Sequence, residues 1–362
     1  MKYYLIAGER SGDLHASNLM KALKQQDPSS EFRFFGGDYM QAVGGELVVH
    51  YKDLAFMGFW EVLVNLRTVS KYIQQCKKDI DAWNPDALIL VDYGGFNLKI
   101  AEHAKKVGHK IIYYISPKVW AWNQKRAYKI KARVDKMLCI LPFEVDFYKK
   151  FDWEVEYVGS PVLDAVKKHQ VNENFRKENT LDLQKEIIAV LPGSRKQEVS
   201  RILPVLADVA KEFANYQVVV AGVDNLPKEL YEPITGLSHV SLVFDQTYDL
   251  LAHAKTAIVC SGTATLETAL FNVPQVIVYK TSGFSYQIAK AVVKVPYIGL
   301  ANLIVNQEVV KELIQSACTV ENITSEVNYL LENGTDYKEL NEAIGNKVAS
   351  EEAAKAVLKN IL

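Results

Sequence analysis

Short apolar segments alternate with longer amphipathic segments along most of the chain. Runs of β-branched and aromatic residues predict strands at 3–7, 32–35, 87–91, 111–115, 137–140 and 156–158. In the second half the same pattern predicts strands at 187–191, 218–221, 241–244, 257–260 and 275–279. Apolar residues at helical spacing predict helices between them, for example at 14–24 and 199–213. This alternation is typical of an α/β fold with parallel sheets that are covered on both faces.

The strand–helix pattern stops at a polar stretch, 169–184, and then restarts. We therefore expect two Rossmann-like domains, at 1–168 and 185–320, joined by this linker. Two such sheets that face each other leave a cleft at the carboxyl ends of their strands, where we expect the active site. The tail, 321–362, is helical in pattern and is expected to cross back to the first domain. A crossing helix of this kind can also exchange between subunits, so a homodimer stays open.

Composition and charge narrow the class of protein. The 362 residues are too many for one core of ordinary size, and 42 basic against 43 acidic residues give a net charge of -1. That balance argues against a nucleic-acid-binding protein, which usually has a basic excess. The four cysteines are far apart and have no zinc-site spacing, which suits a reducing cytosol. The amino terminus resembles a first strand rather than a secretory signal, and no apolar run has membrane-spanning length.

Two turns in the second half carry chemistry that suits a nucleotide diphosphate. They are Leu191-Pro192-Gly193-Ser194-Arg195, followed by Glu198, and Ser261-Gly262-Thr263-Ala264-Thr265-Leu266-Glu267. Backbone N–H groups at a helix start bind phosphate oxygens, a guanidinium neutralises diphosphate charge, and a carboxylate accepts hydrogen bonds from ribose hydroxyls. The alternatives are structural: Arg195 pairs with Glu198, and the second turn is an ordinary one capped by Thr and Glu. An NAD site would instead have its glycine-rich turn after the first strand.

Candidate acid–base groups lie at two turns of the first half. Asp92 follows the apolar segment 87–91, so its carboxylate is expected at the carboxyl end of a strand, where a general base can act. Alternatively, it caps the helix that follows. Glu9 and Asp13 flank a glycine turn at 8–12 that also contains Ser11. A structural alternative is that they serve the turn and the helix start.

Several motifs together resemble a known family. They are Ala7-Gly8-Glu9-Arg10-Ser11-Gly12-Asp13, Met57-Gly58-Phe59-Trp60-Glu61-Val62-Leu63, Ser116-Pro117-Lys118-Val119-Trp120-Ala121-Trp122, Leu141-Pro142-Phe143-Glu144 and Tyr297-Ile298-Gly299-Leu300-Ala301-Asn302-Leu303, with the two turns above. In these segments the chain resembles the lipid-A-disaccharide synthases, which are inverting glycosyltransferases of the GT-B type. The resemblance implies transfer of 2,3-diacylglucosamine from UDP to the 6-hydroxyl of 2,3-diacylglucosamine 1-phosphate. The products are UDP and a β-1,6-linked disaccharide 1-phosphate.

The resemblance also implies roles for particular residues. Asp92 is the expected base, Arg195 stabilises the leaving diphosphate, and Glu267 binds the ribose. Donors to the diphosphate are expected from Ser261, Gly262, Thr263 and Thr265, with Asn302 as a further residue of the nucleotide site. Glu9, Ser11 and Asp13 are expected on the acceptor side, and no metal or other cofactor is expected. Gly95 stands where the family often has a second Asp, and Ala301 where it often has Pro.

Two apolar and basic segments are candidates for lipid contact. The segment 56–67 includes Met57, Phe59 and Trp60, which are expected to bind acyl chains, and it is either an interfacial helix or a buried core helix. A second cluster contains Trp120, Trp122, Lys125, Arg126, Lys129, Lys131 and Arg133. It faces anionic headgroups, the acceptor phosphate or solvent. We expect a cytoplasmic protein that binds peripherally to the inner membrane.

Two other interpretations of the sequence stay open. One is another enzyme of the same architecture that uses UDP-N-acetylglucosamine, such as an epimerase or the N-acetylglucosaminyl transferase of peptidoglycan synthesis. The other is a non-catalytic protein that binds a nucleotide sugar or a lipid. The tryptophan-containing motifs favour the disaccharide synthases over the first, and UDP binding without turnover would favour the second.

Overall fold

The computed structural model describes residues 1–54 and 66–361, which form two compact units. The first unit contains Met1–Pro161 and Asn346–Leu362, and the second contains Val162–Gly345. Each unit is built on one sheet in which every paired strand of the described chain runs parallel to its neighbours. The predicted α/β class with two Rossmann-like sheets is therefore confirmed.

The first sheet has seven strands in the order β3-β2-β1-β4-β5-β6-β7. Their bounds are β1 Lys2–Ala7, β2 Glu31–Gly36, β3 Glu46–His50, β4 Ala87–Val91, β5 Ile111–Tyr114, β6 Lys136–Cys139 and β7 Glu156–Tyr157. The central strands β1 and β4 are almost entirely buried, as expected for a sheet covered on both faces. Their register pairs Ala7 with Val91, so the residues that follow these strands lie side by side.

Helices cover both faces of this sheet. They are α1 Arg10–Gln26, α2 Asp38–Val43, α3 Tyr51–Leu54, α4 Leu66–Trp83, α5 Gly94–Val107, α6 Val119–Trp122, α7 Arg126–Lys131 and α8 Phe143–Lys149. The last helix of the chain, α19 Ala349–Ile361, also belongs to this unit and packs on α1. Small residues make that close packing possible, because Ala353 and Ala354 are fully buried in the same core as Ala16.

The second sheet has six strands in the order β10-β9-β8-β11-β12-β13. Their bounds are β8 Ile187–Leu191, β9 Gln217–Gly222, β10 Val240–Phe244, β11 Ala254–Cys260, β12 Gln275–Tyr279 and β13 Glu312–Ile314. β8 and β11 are neighbours, and their register pairs Leu191 with Val259. The two turns predicted to bind a diphosphate therefore leave the sheet from adjacent strands at the same edge.

The helices of the second unit surround this sheet. They are α9 Pro161–Lys168, α10 Phe175–Glu178, α11 Lys196–Glu212, α12 Glu232–Thr235, α13 Thr247–His253, α14 Ala264–Leu270, α15 Gly283–Val292, α16 Leu300–Val305, α17 Val320–Asn333 and α18 Lys338–Ile344. The buried face of α11 contains Val199, Ile202 and Leu206, as its helical spacing predicts. α15 is the exception in this unit, because it has no buried residue at all.

Each of the eleven predicted strands is present, and two strands in the described part of the chain were missed. The missed strands, β3 and β13, are short edge strands with mostly half-exposed residues, so they lack a continuous apolar run. The polar stretch 169–184 contains α10, whose Phe175 is fully buried in the core of the second unit. Of the helices in the tail, α17 and α18 belong to the second unit, and only α19 belongs to the first.

Candidate active site

The turn after β4 has an uncommon backbone conformation. Asp92 and Tyr93 are consecutive residues with φ values of 45° and 47°, in the left-handed region. For residues other than glycine this conformation costs roughly 1–2 kcal/mol each, and such residues cluster at functional sites. Two buried side chains hold the turn: Asn97 donates from Nδ2 to the Asp92 carbonyl at 2.8 Å, and the Tyr113 hydroxyl donates to the same carbonyl. Sequence reasoning missed both, although Asn97 follows the glycine pair of this turn.

The carboxylate of Asp92 lies beside a second carboxylate. Because Ala7 and Val91 are in register, Glu9 comes within hydrogen-bonding range of Asp92. Burial, and then the negative charge of Glu9, raise the pKa of Asp92 to about 6, while Lys118 acts in the opposite direction. A carboxyl group with this pKa can accept a proton near neutral pH. Ser11 donates from Oγ to Glu9 Oε1 at 3.1 Å, so three of the predicted residues come together here.

The contacts of Asp13 indicate a structural role. Its side chain is fully buried, and its carboxylate accepts hydrogen bonds from the backbone N–H groups of Gly37 at 2.8 Å, Tyr39 at 3.0 Å and Met40 at 3.2 Å. It thereby fixes the start of α2 against α1. This geometry favours the structural alternative for Asp13, and contact with an acceptor substrate stays a prediction.

A buried glutamate links two of the sequence motifs. Trp120 is 5 % exposed and donates from Nε1 to Glu144 Oε1 at 3.1 Å. The other oxygen of Glu144 accepts from the Leu141 backbone N–H at 3.2 Å. Burial raises the pKa of Glu144 to about 7. Trp122 is 49 % exposed, so only this second tryptophan of the motif is available to a ligand.

The basic residues after this motif divide into two sets. Lys125, Arg126, Lys129 and Arg133 line a groove beside α5, whereas Lys131 donates to the backbone carbonyls of Phe151 and Asp152. The set in the groove therefore lies near the carboxyl end of β4, where α5 begins.

A cavity of about 270 Å³ in the second unit is formed by the two predicted turns. The lining residues are Leu191, Gly193, Ser194, Glu198, Cys260, Ser261, Gly262, Thr263, Ala264 and Glu267, with Ala221, Val223 and Thr247 from neighbouring segments. Gly193 has φ of 107°, and a Cβ atom there would lie 3.0 Å from Glu198 Oε2, so glycine is required at this position. Val223 and Thr247 were not predicted, because no motif marks them.

Arg195 begins the helix that leaves this cavity. It is the N-cap residue of α11, and Glu198 closes a capping box by accepting from the Arg195 backbone N–H at 3.3 Å. The guanidinium also contacts Glu198 at 3.2 Å, which is the pairing that the structural alternative requires. The Arg195 side chain is nevertheless 82 % exposed, and an exposed pair of this kind contributes only about 0–1 kcal/mol to stability. The guanidinium is therefore accessible to an anion.

The second turn offers both backbone and side-chain groups to a ligand. Among the described residues, the backbone N–H groups of Gly262 and Thr263 donate to no other group, whereas Ser261 Oγ donates to the Ile298 carbonyl at 3.1 Å. Tyr248, which was not predicted, donates from its hydroxyl to Glu267 Oε1 at 3.0 Å. Burial raises the pKa of Glu267. Tyr248 thus orients the carboxyl group predicted to bind ribose.

Two predicted nucleotide ligands have their polar atoms engaged within the protein. Thr265 donates to the Gly262 carbonyl at 2.8 Å and accepts from the Leu300 backbone N–H at 3.3 Å. The buried Asn302 donates to the Val310 carbonyl at 2.7 Å and to Glu312, and its Oδ1 accepts from the Val309 and Val310 backbone N–H groups. Contact of either side chain with a nucleotide would require these bonds to open. Their ligand roles stay predictions, and the geometry favours structural ones.

The predicted acyl-binding residues Met57, Phe59 and Trp60 lie outside the described residues. Within the described ranges, none of the helices combines the length and the apolar character needed to cross a membrane.

The whole chain matches one protein family. The family model for lipid-A-disaccharide synthetase matches residues 3–360. The chain belongs to this family. The resemblance drawn from the motifs, and with it the prediction of a glycosyltransferase of lipid A biosynthesis, is confirmed.

Named relatives agree with this assignment. The lipid-A-disaccharide synthase of Trichlorobacter lovleyi is 37 % identical over an aligned length of 370, and the alignment covers 99 % of this chain and 97 % of the relative. That of Coxiella burnetii is 35 % identical over 333 residues, covering 91 % of this chain and 88 % of the relative.

Solved structures share the fold at much lower identity. The UDP-GlcNAc 2-epimerase from Neisseria meningitidis bound to UDP-GlcNAc has a TM-score of 0.69 at 13 % identity, covering 99 % of this chain and 100 % of that one. The calicheamicin glycosyltransferase CalG4 has a TM-score of 0.65 at 14 % identity, covering 99 % and 98 %. At this identity the likeness shows the α/β architecture alone.

Proposed function

We propose that this member of the family transfers 2,3-diacylglucosamine from UDP to the 6-hydroxyl of 2,3-diacylglucosamine 1-phosphate, with Asp92 as the general base. The observation that carries the proposal is the turn after β4, where two strained residues hold a carboxylate of raised pKa next to Glu9. An inverting transfer needs one base to remove the acceptor hydroxyl proton as that oxygen attacks the sugar carbon. The proton passes to Asp92, and the bond from the sugar carbon to the diphosphate breaks.

The nucleotide is proposed to bind in the cavity of the second unit. Gly262 and Thr263 offer free backbone N–H groups to the diphosphate, and Arg195 offers an exposed guanidinium. These groups stabilise the negative charge that develops on the leaving UDP. Glu267, oriented by Tyr248, is proposed to accept hydrogen bonds from the ribose hydroxyls.

Acceptor-dependent UDP release tests the proposal. The purified protein in detergent micelles is incubated with UDP-2,3-diacylglucosamine, with and without 2,3-diacylglucosamine 1-phosphate, and the lipid products are analysed by mass spectrometry. We expect UDP release only with both substrates, together with a disaccharide 1-phosphate. Binding of the donor without turnover would favour a non-catalytic protein, and isomerisation of the donor sugar would favour an epimerase.

The role of Asp92 needs a separate variant. Asp92→Asn keeps the shape of the side chain and the backbone bonds of the turn but removes the base. We expect kcat to fall by about 10²–10⁴-fold, the usual contribution of a general base. Circular dichroism checks that the fold is kept. If turnover stays within a fewfold of that of the parent protein, Asp92 is not the base.

A peripheral position on an anionic bilayer, such as the cytoplasmic face of the inner membrane, is part of the proposed function. The exposed helix α15 supports it. Phe284, Ile288 and Val292 are spaced by four residues on one face and are 79 %, 51 % and 40 % exposed. Between Glu267 and Glu308 the sequence has three lysines and no acidic residue. An apolar stripe on such a cationic segment suits shallow insertion among anionic lipids.

Flotation with vesicles that contain phosphatidylglycerol tests membrane binding. We expect the parent protein to float and the double variant Phe284→Ser/Ile288→Ser to float much less. Leu183→Ser removes another exposed apolar side chain of the same unit, 55 % exposed, and serves as the matched control. A parent protein that stays in the bottom fraction, or equal flotation of all three proteins, would contradict this role of α15.

A further inference from the structure

A groove of about 590 Å³ runs along α5 in the first unit. One wall is the face of α5 that contains Gly95, Leu98, Lys99 and Glu102, and the other wall comes from Asn123, Lys125, Arg126, Lys129 and Arg133. The lining therefore carries five cationic side chains and a single acidic one. This is a concentrated positive charge for a protein whose net charge is -1.

Most of this positive charge is not neutralised by the protein. Glu102 pairs with Arg133 at 2.6 Å, and so the one acid of the groove is already matched. Within the described chain, Lys99, Lys125 and Lys129 make no ion pair, and Arg126 donates only to the Gly94 carbonyl at 3.2 Å. Like charges brought together without a counterion repel one another, so this arrangement favours a bound anion.

The end of the groove at Gly95 lies next to the candidate base, Asp92. Gly95 is the second residue of α5 and comes three residues after Asp92. The bond from Arg126 to the Gly94 carbonyl ties the basic wall to the same turn that holds Asp92. The amino end of this 14-residue helix adds a partial positive charge. Gly95 has no side chain and nothing lies within 4 Å of its Cβ position, so this end of the groove is open.

We propose that this groove binds the phosphomonoester of the acceptor lipid, and that Lys99 and Lys125 are residues that determine acceptor specificity. The inference rests on the proposed function and names a part of its acceptor site. A phosphomonoester carries a charge of about −1.5 to −2 at neutral pH, more than the single charge of a phosphodiester headgroup, and has three oxygens that accept hydrogen bonds. Several lysines that converge on one groove match such a ligand.

The test compares two double variants that remove the same charge. Lys99→Gln/Lys125→Gln changes the groove, and Lys149→Gln/Lys150→Gln changes two exposed lysines at the end of α8 in the same unit. Each is assayed in micelles with 2,3-diacylglucosamine 1-phosphate and with the same acceptor lacking the phosphate. We expect the groove variant to raise KM for the phosphorylated acceptor at least about tenfold, since charge-assisted hydrogen bonds are lost. The groove variant should have an unchanged KM for the UDP donor. The control variant should have unchanged KM values for both substrates.

Three outcomes would overturn the proposal. The first is an unchanged KM for the phosphorylated acceptor in the groove variant. The second is an equal loss for the acceptor without phosphate, which means that the groove does not recognise the phosphate. The third is a loss of flotation with phosphatidylglycerol vesicles while the acceptor KM in micelles is kept, which assigns the groove to phosphodiester headgroups of the bilayer.

A binding measurement separates this inference from the reaction itself. Addition of protein should broaden the ³¹P resonance of 2,3-diacylglucosamine 1-phosphate in micelles, without any donor. The broadening should persist in Asp92→Asn and be lost in Lys99→Gln/Lys125→Gln. If the parent protein broadens the resonance but forms no disaccharide, the proposed function fails and the groove assignment stands. If disaccharide forms but the groove variant binds and turns over like the control, only the groove assignment fails.

Discussion

The ring of Tyr93 lies directly over the α-carbon of Gly8. A Cβ atom at residue 8 would come within 2.2 Å of Tyr93 Cγ, so the glycine is what allows the turn after β1 to approach the turn after β4. Tyr93 is the neighbour of Asp92 in the chain and shares its left-handed backbone conformation. The position of the candidate base therefore depends on the absence of a side chain in a different strand–helix turn.

Gly8→Ala should impair the enzyme far more than a glycine substitution four residues later. The added methyl group displaces Tyr93 and with it the Asp92 turn, so we expect kcat to fall at least about tenfold, the cost of roughly 1.4 kcal/mol in the barrier. Gly12→Ala is the matched control: its Cβ would make only an ordinary 3.5 Å contact with Ala7, inside the helix α1. Steady-state kinetics and thermal unfolding are measured for both variants. A similar loss of kcat in the two would refute this explanation.

The pH dependence of turnover should follow Asp92. The base acts in its ionised form, and the pKa of Asp92 is raised to about 6, so kcat should be half-maximal near that pH and level off above it. Glu9 raises this pKa and Lys118 lowers it. The neighbouring hydroxyls of Tyr93 and Tyr113 stay neutral in this range, because burial raises the pKa of both.

Two charge-removing variants test this assignment with opposite signs. Glu9→Gln should move the acidic limb of the kcat profile to lower pH, and Lys118→Gln should move it to higher pH. The comparison uses the pH at the midpoint of the acidic limb and not the maximum value of kcat. If the acidic limb lies at the same pH in the parent protein and in both variants, another group limits turnover at low pH.

Tyr113→Phe should lower kcat without a matching change in KM for either substrate. It removes the hydroxyl that holds the Asp92 carbonyl and leaves Asn97 as the remaining donor. A single such hydrogen bond is worth about 1 kcal/mol, so we expect a decrease of about fivefold. The acidic limb of the pH profile should also shift, because a relaxed turn moves Asp92 relative to Glu9.

Tyr4→Phe is the control for this substitution. Tyr4 is also fully buried in the first sheet, and its hydroxyl donates to Asp79 at 2.7 Å, two residue levels nearer the amino ends of the strands. We expect it to lower the unfolding temperature as much as Tyr113→Phe and to leave kcat and the pH profile unchanged. If both variants change kcat equally, the effect of Tyr113 is one of stability alone.

Arg195→Ala should reduce turnover and UDP affinity without unfolding the protein. The guanidinium is 82 % exposed and its pair with Glu198 is a surface pair, so the free energy of unfolding should change by less than about 1 kcal/mol. Loss of a charge that stabilises the leaving group should cost about 10²-fold in kcat. Arg201→Ala, on an exposed position of the same helix α11, is expected to behave like the parent protein in both assays.

The sequence predicted the strands that are buried on both faces, because such strands are continuous apolar runs, and also the half-exposed edge strands β7 and β10. It did not predict β3 and β13, which are short and half-exposed at the sheet edges. It also predicted the two turns after β8 and β11. These turns come together because adjacent parallel strands end at the same edge of the sheet. The side-chain bonds of Tyr113 and Tyr248 could not be predicted, because they depend on the placement of elements that are distant in sequence. The Asn97 bond is local to the turn and was missed because the backbone conformation of Asp92 and Tyr93 is not apparent from the sequence.

The same limit explains why three residues that were predicted to bind a ligand instead have their polar atoms bonded within the protein. Asp13, Thr265 and Asn302 belong to motifs together with residues that face open space, and a motif does not distinguish a side chain that meets a ligand from one that shapes the turn. Only their hydrogen-bond partners make the distinction. Polar side chains that are fully buried and fully bonded are a poor choice for the first round of mutagenesis.

The placement of α19 in the first unit has a consequence for how the protein is made. The core around α1 includes Ala353 and Val357, which follow the entire second unit in the sequence. During synthesis from the amino terminus, the first unit therefore lacks one of its core helices until the whole second unit has been made. A chain released between the second unit and α19 would have a complete second unit attached to a first unit with an open core, a natural substrate for chaperones and proteases.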